Sequence, residues 1–166
     1  MRYLLDSNCF IEPHRTFCPT DVGLSCWNKI KCLSDNGTIS SLDKVKEELV
    51  INEDALSAWI KVNIDKSFFF KFDTPATVLR LREIINWAQY DSFYSQKAKN
   101  KFLKMDKADI YLAAYASIDT VNRVIVSEEI PAPRNAGEIK LPDVCNRYGV
   151  RCIFLRDMFR ELRETF

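Results

Sequence analysis

RYLLDSN, residues 2–8, is the stretch that decides the fold of this 166-residue chain. Tyr3, Leu4 and Leu5 form a short apolar run, and polar residues follow from Asp6 onward. An apolar run that gives way to polar residues is typical of a buried strand in a parallel sheet. The stretch therefore predicts that the first strand of such a sheet ends at a carboxylate.

Strand and helix patterns alternate through the rest of the chain. Short apolar runs predict further strands at residues 38–40, 68–72, 124–126 and 151–155. Helical spacing predicts helices at residues 24–33, opened by Thr20-Asp21, and at 41–49, 54–62, 78–88, 108–116, 143–148 and 158–162. Pro13 and Pro19 predict a loop after Asn8. This alternation favours one α/β domain over residues 1–166, with a parallel sheet covered by helices on both faces.

The composition is that of an ordinary globular protein. Hydrophobic residues make up 47% of the chain and charged residues 28%. No run approaches the roughly 18 apolar residues of a membrane span, and Asp6 interrupts the amino terminus too early for a secretory signal. We therefore expect a cytoplasmic protein with no membrane partner. The net charge of +1 excludes a generally basic nucleic-acid binder, so any surface for a phosphate backbone must be local.

Six cysteines and a single histidine, His14, limit the alternative chemistries. Disulfide frameworks are typical of small secreted chains, and no CxxC pair is present. We therefore interpret most of the cysteines as small buried hydrophobic residues. The single histidine offers little for a mixed cysteine–histidine zinc site, and a cysteine nucleophile would need a histidine base, so both are unfavourable.

Acidic residues stand where parallel α/β sheets place their sites, beyond the carboxyl ends of the strands. Asp6 follows the first strand, and Glu128 and Glu129 follow the strand at residues 124–126. Asp109 lies in the first turn of the most apolar helix, where a charge is unusual unless it is partnered. Each has an ordinary alternative: a turn cap at Asp6, a favourable helix-dipole charge at Asp109, and a solvated loop at the glutamates. Their joint placement favours a shared site.

Two helices offer further acids for the same site. On the helix at residues 41–49, Glu48 lies beside the predicted buried face whereas Glu47 points away, so we prefer Glu48 and keep Glu47 as the alternate. Asp106 lies three residues before Asp109 and shares its face if that helix begins early enough.

A group of carboxylates without histidine or cysteine partners suits Mg²⁺ or Mn²⁺ rather than zinc. Such carboxylates repel one another, and one or two divalent ions supply the counter-charge. The ions can polarise a phosphodiester, activate water and stabilise the leaving oxygen, so no side-chain nucleophile is required. A phosphatase-like hydrolase with Asp6 as its nucleophile is a weaker alternative, because Asn8 stands where a second Asp is expected.

At these residues the chain resembles the PIN-domain family. The family motifs are a first strand that ends in Asp, a Glu before Leu on an early helix, a later D-x-x-I/L-A-A helix and a strand that ends T/S-x-D/E. Here they read Tyr3-Leu4-Leu5-Asp6-Ser7-Asn8, Val45-Lys46-Glu47-Glu48-Leu49, Asp109-Ile110-Tyr111-Leu112-Ala113-Ala114 and Val124-Ile125-Val126-Ser127-Glu128-Glu129. Downstream, Lys140-Leu141-Pro142-Asp143-Val144-Cys145 resembles a poorly characterised bacterial branch of PIN-like proteins.

The resemblance implies a three-layer α/β/α sandwich with a short, mainly parallel central sheet, and a divalent-metal-dependent endoribonuclease. Many relatives are toxins of VapC type, so the resemblance also implies an RNA substrate, a small antitoxin partner and a homodimer. Carried over residue by residue, Asp6, Glu48 and Asp109 match the catalytic acids that bind Mg²⁺ or Mn²⁺. The fourth position, usually Asp, falls on Glu129, with Glu128 as its alternate.

Polar and basic residues around these acids are expected to contact the substrate. Ser127 stands where Thr or Ser is common in the family, and Asn8 is placed to orient water at the metal. Lysines precede Asp109 at positions 97, 99, 101, 104 and 107, and of these we expect Lys104 and Lys107 to bind the RNA backbone. The alternative is an exposed, solubilising helix face.

Glu129 stands where the family usually has Asp, and this difference leaves a second function as an alternative. A PIN-fold module that has lost catalysis and binds RNA or protein would tolerate a changed fourth acid. The two functions differ in metal binding, because only the nuclease requires it.

Overall fold

Five short strands form one sheet in the computed structural model, which describes residues 1–104 and 107–165. The strands are β1 (Arg2–Leu5), β2 (Ile39–Leu42), β3 (Phe69–Phe70), β4 (Arg123–Val126) and β5 (Arg151–Ile153). Their order across the sheet is β3-β2-β1-β4-β5, and every neighbouring pair is parallel.

Helices connect the strands. The described residues form α1 (Asn8–Arg15), α2 (Leu24–Asp35), α3 (Asp43–Val50), α4 (Ala55–Asn63), α5 (Pro75–Tyr90), α6 (Gln96–Phe102), α7 (Asp109–Ala116), α8 (Leu141–Arg147) and α9 (Leu155–Leu162), with a short 3-10 helix at Lys66–Phe68.

The helices cover the sheet on both faces. From β1 the chain moves outward through β2 to β3, then returns to the other side of β1 for β4 and β5. Because crossovers between parallel strands are right-handed, the helices of the two halves lie on opposite faces. Contacts agree: α1 and α3 pack on α4, whereas α5 and α8 pack on α7. The predicted three-layer α/β/α sandwich is thus confirmed, and its sheet is wholly rather than mainly parallel.

The central strands and α7 form the core. Leu4, Leu5 and Ile125 are fully buried, and so are Leu112 and Ala113 on α7. Burying one such leucine stabilises the fold by about 1.5–3 kcal/mol. Because β1, β4 and α7 pack together in this core, their ends are held in fixed positions.

Two adjacent strands, β1 and β4, define where a site can form. The connections that leave them run in opposite directions, which opens a crevice at their carboxyl ends. Asp6 follows β1 and Ser127 follows β4, so both residues flank this crevice.

The predicted loop after Asn8 is wrong, because residues 8–15 form α1 with Pro13 inside the helix. Proline removes one helical hydrogen bond, at a cost of about 3 kcal/mol. Here Phe10 is fully buried and packs edge-on against Phe68, with ring centroids 6.2 Å apart, and Pro13 is itself buried. Packing in the core therefore outweighs the proline.

Two boundaries also differ from those predicted. Thr20-Asp21 does not cap α2, which begins at Leu24 after Gly23, because the chain turns where Val22 and Gly23 donate to the carbonyl of Pro19. The aromatic run at residues 68–72 supplies only the two-residue β3, preceded by the 3-10 helix. No helix within the described residues is long and apolar enough to cross a membrane.

Candidate functional site

The buried carboxylate of Asp6 lies at the centre of the crevice between β1 and β4. Its side chain is only 2% exposed. The backbone N–H of Ser7 donates to Asp6 Oδ1 at 2.7 Å, and Ser127 Oγ donates to Asp6 Oδ2 at 3.0 Å. The Asp6 N–H also continues the sheet by donating to the carbonyl of Val126 at 3.0 Å. The end of β1 is thereby fixed to the end of β4 through Asp6.

Asn8 ties the same two strand ends together. Its Nδ2 donates to Ser127 Oγ at 3.1 Å, and its Oδ1 accepts from the N–H of Glu128 at 2.9 Å. Both polar atoms of this amide are therefore engaged in holding the segment after β4. In this structure Asn8 positions Ser127, and a role in orienting water stays a prediction.

Glu48 brings α3 to the site. Its Oε2 accepts from Ser7 Oγ at 2.6 Å, and its Oε1 accepts from the N–H of Ala108, just before α7, at 2.9 Å. The neighbouring Glu47 is exposed and instead pairs with Lys44 at 2.8 Å. The structure therefore places Glu48, and not Glu47, among the site acids.

Asp109 is the first residue of α7 and is partly buried. It is close enough to Asp6 and Glu48 for their charges to affect one another. Asp106, the alternate acid before this helix, lies outside the described residues. Among the described residues of this segment, Asp109 is the acid that lies near Asp6 and Glu48.

Burial and mutual repulsion dominate the electrostatics of the group. Burial, then the charges of Asp109 and Glu48, raise the pKa of the Asp6 carboxyl well above its usual range. Burial, then Glu129 and Glu48, raise the pKa of Asp109 to about 7. Both shifts mean that the charged forms are unfavourable in the protein alone, because the nearby positive charge, that of Lys107 at Asp109, does not offset burial and repulsion.

The two glutamates after β4 diverge. Glu129 Oε2 accepts from the N–H of Leu141, the first residue of α8, at 2.9 Å, and Glu129 affects the pKa of Asp109. Glu128 Oε1 accepts from the N–H of Leu155, the first residue of α9, at 2.8 Å. Each therefore satisfies one helix terminus. Only Glu129 shares a cleft with Asp109.

Two clefts open beside the carboxylates. One, of about 160 Å³, is lined by Asp109, Glu129 and Lys140 together with Lys101, Lys107 and Glu138. The other, of about 390 Å³, is lined by Ser7, Glu48, Glu47, Ile11, Ile51 and again Lys107. Lys107 is exposed and lies on both clefts, so it borders the acid group from two sides.

The lysine-rich segment forms a groove that leads to these clefts. The groove encloses about 830 Å³ and is lined by Lys97, Lys101, Lys104 and Glu138, among others. Because Lys101 and Glu138 also line the cleft at Asp109, the groove and that cleft adjoin. Lys104 is exposed within the groove. A basic surface therefore runs up to the acids, although the net charge of the chain is close to zero.

The acids do not form a preformed metal cage. In residues 1–104 and 107–165 no set of three or more His, Cys, Asp or Glu side chains is arranged to hold a metal ion. The donor chemistry nevertheless suits a hard cation, because carboxylate and hydroxyl oxygens surround Asp6. The group is thus an electrostatically unfavourable set of nearby carboxylates, not a closed coordination shell.

Sequence comparison places the chain in a family. Residues 3–166 match the domain of unknown function DUF4411. The chain belongs to the DUF4411 family. Comparison with curated proteins gives no match. Because the match covers β1 through the end of α9, all the site residues of this DUF4411 domain lie within it.

Sequence reasoning missed two residues of the DUF4411 site. Ser7 donates to Glu48 across 41 positions of sequence, a contact that no local pattern signals. Lys140 lies 3.6 Å from Glu129 Oε1 and 3.3 Å from Glu138 Oε2. The motif at residues 140–145 did single out this segment, without indicating where its lysine would lie.

The cysteines of the DUF4411 domain agree in large part with their interpretation as buried hydrophobic residues. Cys9, Cys18, Cys26 and Cys145 are buried, Cys152 is partly buried, and only Cys32 is exposed. Burial, then the charges of Asp6 and Glu128, raise the pKa of the Cys9 thiol well above its usual value. A thiol held protonated is a poor nucleophile, so Cys9 is not a candidate for covalent chemistry.

Proposed function

We propose that the chain is a divalent-metal-dependent endoribonuclease that hydrolyses RNA phosphodiester bonds at the crevice between β1 and β4. The observation that carries this proposal is the environment of Asp6. The carboxylate is 2% exposed and lies near Asp109 and Glu48, and the described donors to it, Ser7 and Ser127, are uncharged. Such a carboxylate is costly to keep ionised unless a cation neutralises it.

Mg²⁺ or Mn²⁺ fits this group by its charge and by its preference for oxygen ligands. Asp6, Glu48 and Asp109 would hold the ion, and Glu129 is the candidate for a fourth ligand. A bound ion would polarise the phosphodiester and activate water. Its charge would also offset the repulsion that raises the pKa of the Asp6 and Asp109 carboxyls.

The remaining side chains hold the acids and the substrate in place. Ser127, itself held by Asn8, fixes the Asp6 carboxylate, and Ser7 and the Ala108 N–H fix Glu48. These hydrogen bonds order the acids before substrate arrives, which lowers the cost of reaching a reactive geometry. Lys104 and Lys107 would neutralise phosphates of the RNA backbone along the groove without reading its sequence.

The resemblance to PIN-domain toxins supports a biological role as the toxin of a toxin–antitoxin pair. A small antitoxin protein would then bind and silence the nuclease, and the chain would act as a homodimer. Growth arrest on expression in bacteria, relieved by the product of a neighbouring small open reading frame, would support the role. Growth unaffected by an active nuclease would remove the toxin role and leave the nuclease.

A matched pair of variants on α3 tests the nuclease. Glu48→Gln should lower RNA cleavage by about 100-fold or more, because it removes a charge worth several kcal/mol to the metal-dependent transition state. The glutamine Oε1 can still accept from Ala108, so the fold should hold. The adjacent Glu47→Gln should cleave like wild type, because Glu47 is exposed and pairs with Lys44.

Cleavage of a 5′-labelled RNA with Mn²⁺, and with EDTA as the metal-free control, provides the measurement. The same variants expressed in bacteria should separate in the same way, with growth arrest from Glu47→Gln and none from Glu48→Gln. Equal activity of the two purified variants, or cleavage that EDTA leaves unchanged, would refute the proposal.

A catalytically inactive module that binds RNA or protein is the second candidate. The observation in its favour is that Glu129 accepts from the Leu141 N–H and lies beside Lys140, so this acid already has partners. Such a module would bind without Mn²⁺ and would cleave nothing. Metal titration therefore separates the two candidates.

A further inference from the structure

Lys140 lies in the smaller of the two clefts, the one at Asp109, and two carboxylates hold it there. It directly precedes α8, and its ammonium lies 3.6 Å from Glu129 and 3.3 Å from Glu138. The side chain is 26% exposed, whereas that of Lys101, which also lines this cleft, is 61% exposed. Holding a lysine in one orientation removes part of the entropy that it would lose on binding a ligand.

The segment that carries Lys140 is itself rigid. Leu141 is fully buried, and its N–H donates to Glu129. Pro142 lies in the first turn of α8, and the Asp143 carboxylate accepts from the N–H of Ala132 at 3.0 Å. These contacts fix the backbone at the amino terminus of α8, so the Lys140 side chain extends from a rigid segment.

The charges of the cleft favour an anion once the acids are neutralised. Three lysines, Lys101, Lys107 and Lys140, line it together with three carboxylates, Asp109, Glu129 and Glu138. A divalent ion at the acid group would leave the cleft with a surplus of positive charge. Glu138 also holds Lys101, at 2.7 Å, which continues the basic surface into the neighbouring groove.

We propose that this cleft is a phosphate-binding subsite for the backbone of single-stranded RNA, and that Lys140 is the residue that contacts the phosphate. This inference rests on the proposed nuclease function and deepens it. It assigns the lysine of the motif at residues 140–145 to the substrate. The lysines of the adjoining groove, Lys97, Lys101 and Lys104, would then guide the strand toward that contact.

Binding of a fluorescent, cleavage-resistant phosphorothioate single-stranded RNA, measured by anisotropy with Mn²⁺ at several salt concentrations, tests the subsite. Lys140→Met should weaken binding by about 10-fold, the loss expected for one hydrogen bond to a charged group. It should also lower the slope of log affinity against log salt by about 0.7, the value for one phosphate on a single strand. Lys140→Arg keeps the charge and should retain most of the slope.

Lys66→Met is the matched control. Lys66 is exposed and precedes the edge strand β3, so it lies toward the amino-terminal ends of the parallel strands, whereas the site lies at their carboxyl ends. It should bind RNA with the wild-type affinity and slope. The melting temperature of Lys140→Met should stay near that of wild type, because a partly exposed ion pair contributes at most about 1 kcal/mol.

Mn²⁺ titration by calorimetry adds a readout other than RNA. Lys140→Met should take up Mn²⁺ with the wild-type stoichiometry. An extra ion in the variant would mean that Lys140 fills the place of a second metal, and this would overturn the subsite. Wild-type RNA affinity and salt slope in Lys140→Met would overturn it as well. Absence of both RNA binding and metal-dependent cleavage in the wild-type protein would instead refute the proposed function itself.

Discussion

The Asp6→Asn variant is expected to lose RNA cleavage by about 1,000-fold, because it removes the central carboxylate of a metal site worth several kcal/mol to the reaction. Asparagine has the same shape as aspartate, and its amide oxygen can still accept from the Ser7 N–H. The variant should therefore fold. A time course of cleavage with Mn²⁺, alongside circular dichroism, measures both effects.

Asp119→Asn is the control for this change. Asp119 precedes β4 and accepts from the Asn122 N–H, so it lies at the amino-terminal ends of the strands, away from the crevice at their carboxyl ends. Its variant should cleave RNA at the wild-type rate. Wild-type cleavage by Asp6→Asn would instead exclude Asp6 from the chemistry.

The second large effect concerns stability. The pKa of Asp109 is raised from 3.8 to about 7 in the folded protein. Between these values the folded state keeps a proton that the unfolded chain releases, so the free energy of unfolding should fall as pH rises from about 4 to about 7. Stability from this group is thus fully present at low pH and lost above neutrality.

Asp109→Asn should remove the part of this pH dependence that comes from Asp109, leave the part that comes from Asp6, and stabilise the metal-free protein at pH 8. We expect the free energy of unfolding to rise by an amount on the order of 2 kcal/mol. Burial and repulsion destabilise the Asp109 carboxylate, whereas its partial exposure and the nearby Lys107 reduce this effect. The melting temperature would rise by about 4–8 °C. Mn²⁺ should raise the melting temperature of wild type far more than that of the variant.

Melting curves in EDTA from pH 5 to pH 8 provide the measurement, with Asp119→Asn again as the control. A wild-type melting temperature that rises through this window, or a variant that melts well below wild type at pH 8, would show that the Asp109 carboxylate stabilises the fold by itself. Burial and repulsion would then not be the dominant effects on this carboxylate.

The site acids lower the stability of the metal-free protein, and they contribute to the proposed function only when a cation is bound. Stability can be improved at such positions by removing charge, at the expense of function. The contrast between Asp6 or Asp109 and Glu47 follows from burial and from mutual repulsion. Buried acids that repel one another should give more stable, inactive variants, whereas the exposed Glu47 should give neither effect.

Much of the fold could be predicted from periodicity. Alternating apolar runs and helical spacing indicated the parallel sheet, and helix geometry placed Glu48 rather than Glu47 toward the core. The run at residues 2–8 indicated that Asp6 ends β1. These features are local, because the periods of strands and helices determine which nearby residues share a face.

Other parts depend on contacts between distant residues. Helix α1 forms because Phe10 packs on Phe68, and this tertiary contact outweighs the signal of Pro13. The choice between Glu128 and Glu129 follows from which helix terminus each one meets, Leu155 or Leu141.

Lys140 shows the same limit within the site. Sequence alone places it eleven positions after Glu129, in a segment with no regular period. Its approach to Glu129 depends on the path of the chain between β4 and α8, which brings the start of α8 back to the cleft at Asp109. A motif can therefore mark such a residue without showing what it contacts.

The central claim is that Asp6, Glu48 and Asp109 form a divalent-metal site, and calorimetric titration of Mn²⁺ tests it most directly. We expect the wild-type protein to bind Mn²⁺ with millimolar or tighter affinity, and the Asp6→Asn variant to bind at least about 10-fold more weakly, as is common when the ligand environment of a metal is altered. Absence of Mn²⁺ binding by the folded wild-type protein, or equal binding by the two proteins, would contradict the claim.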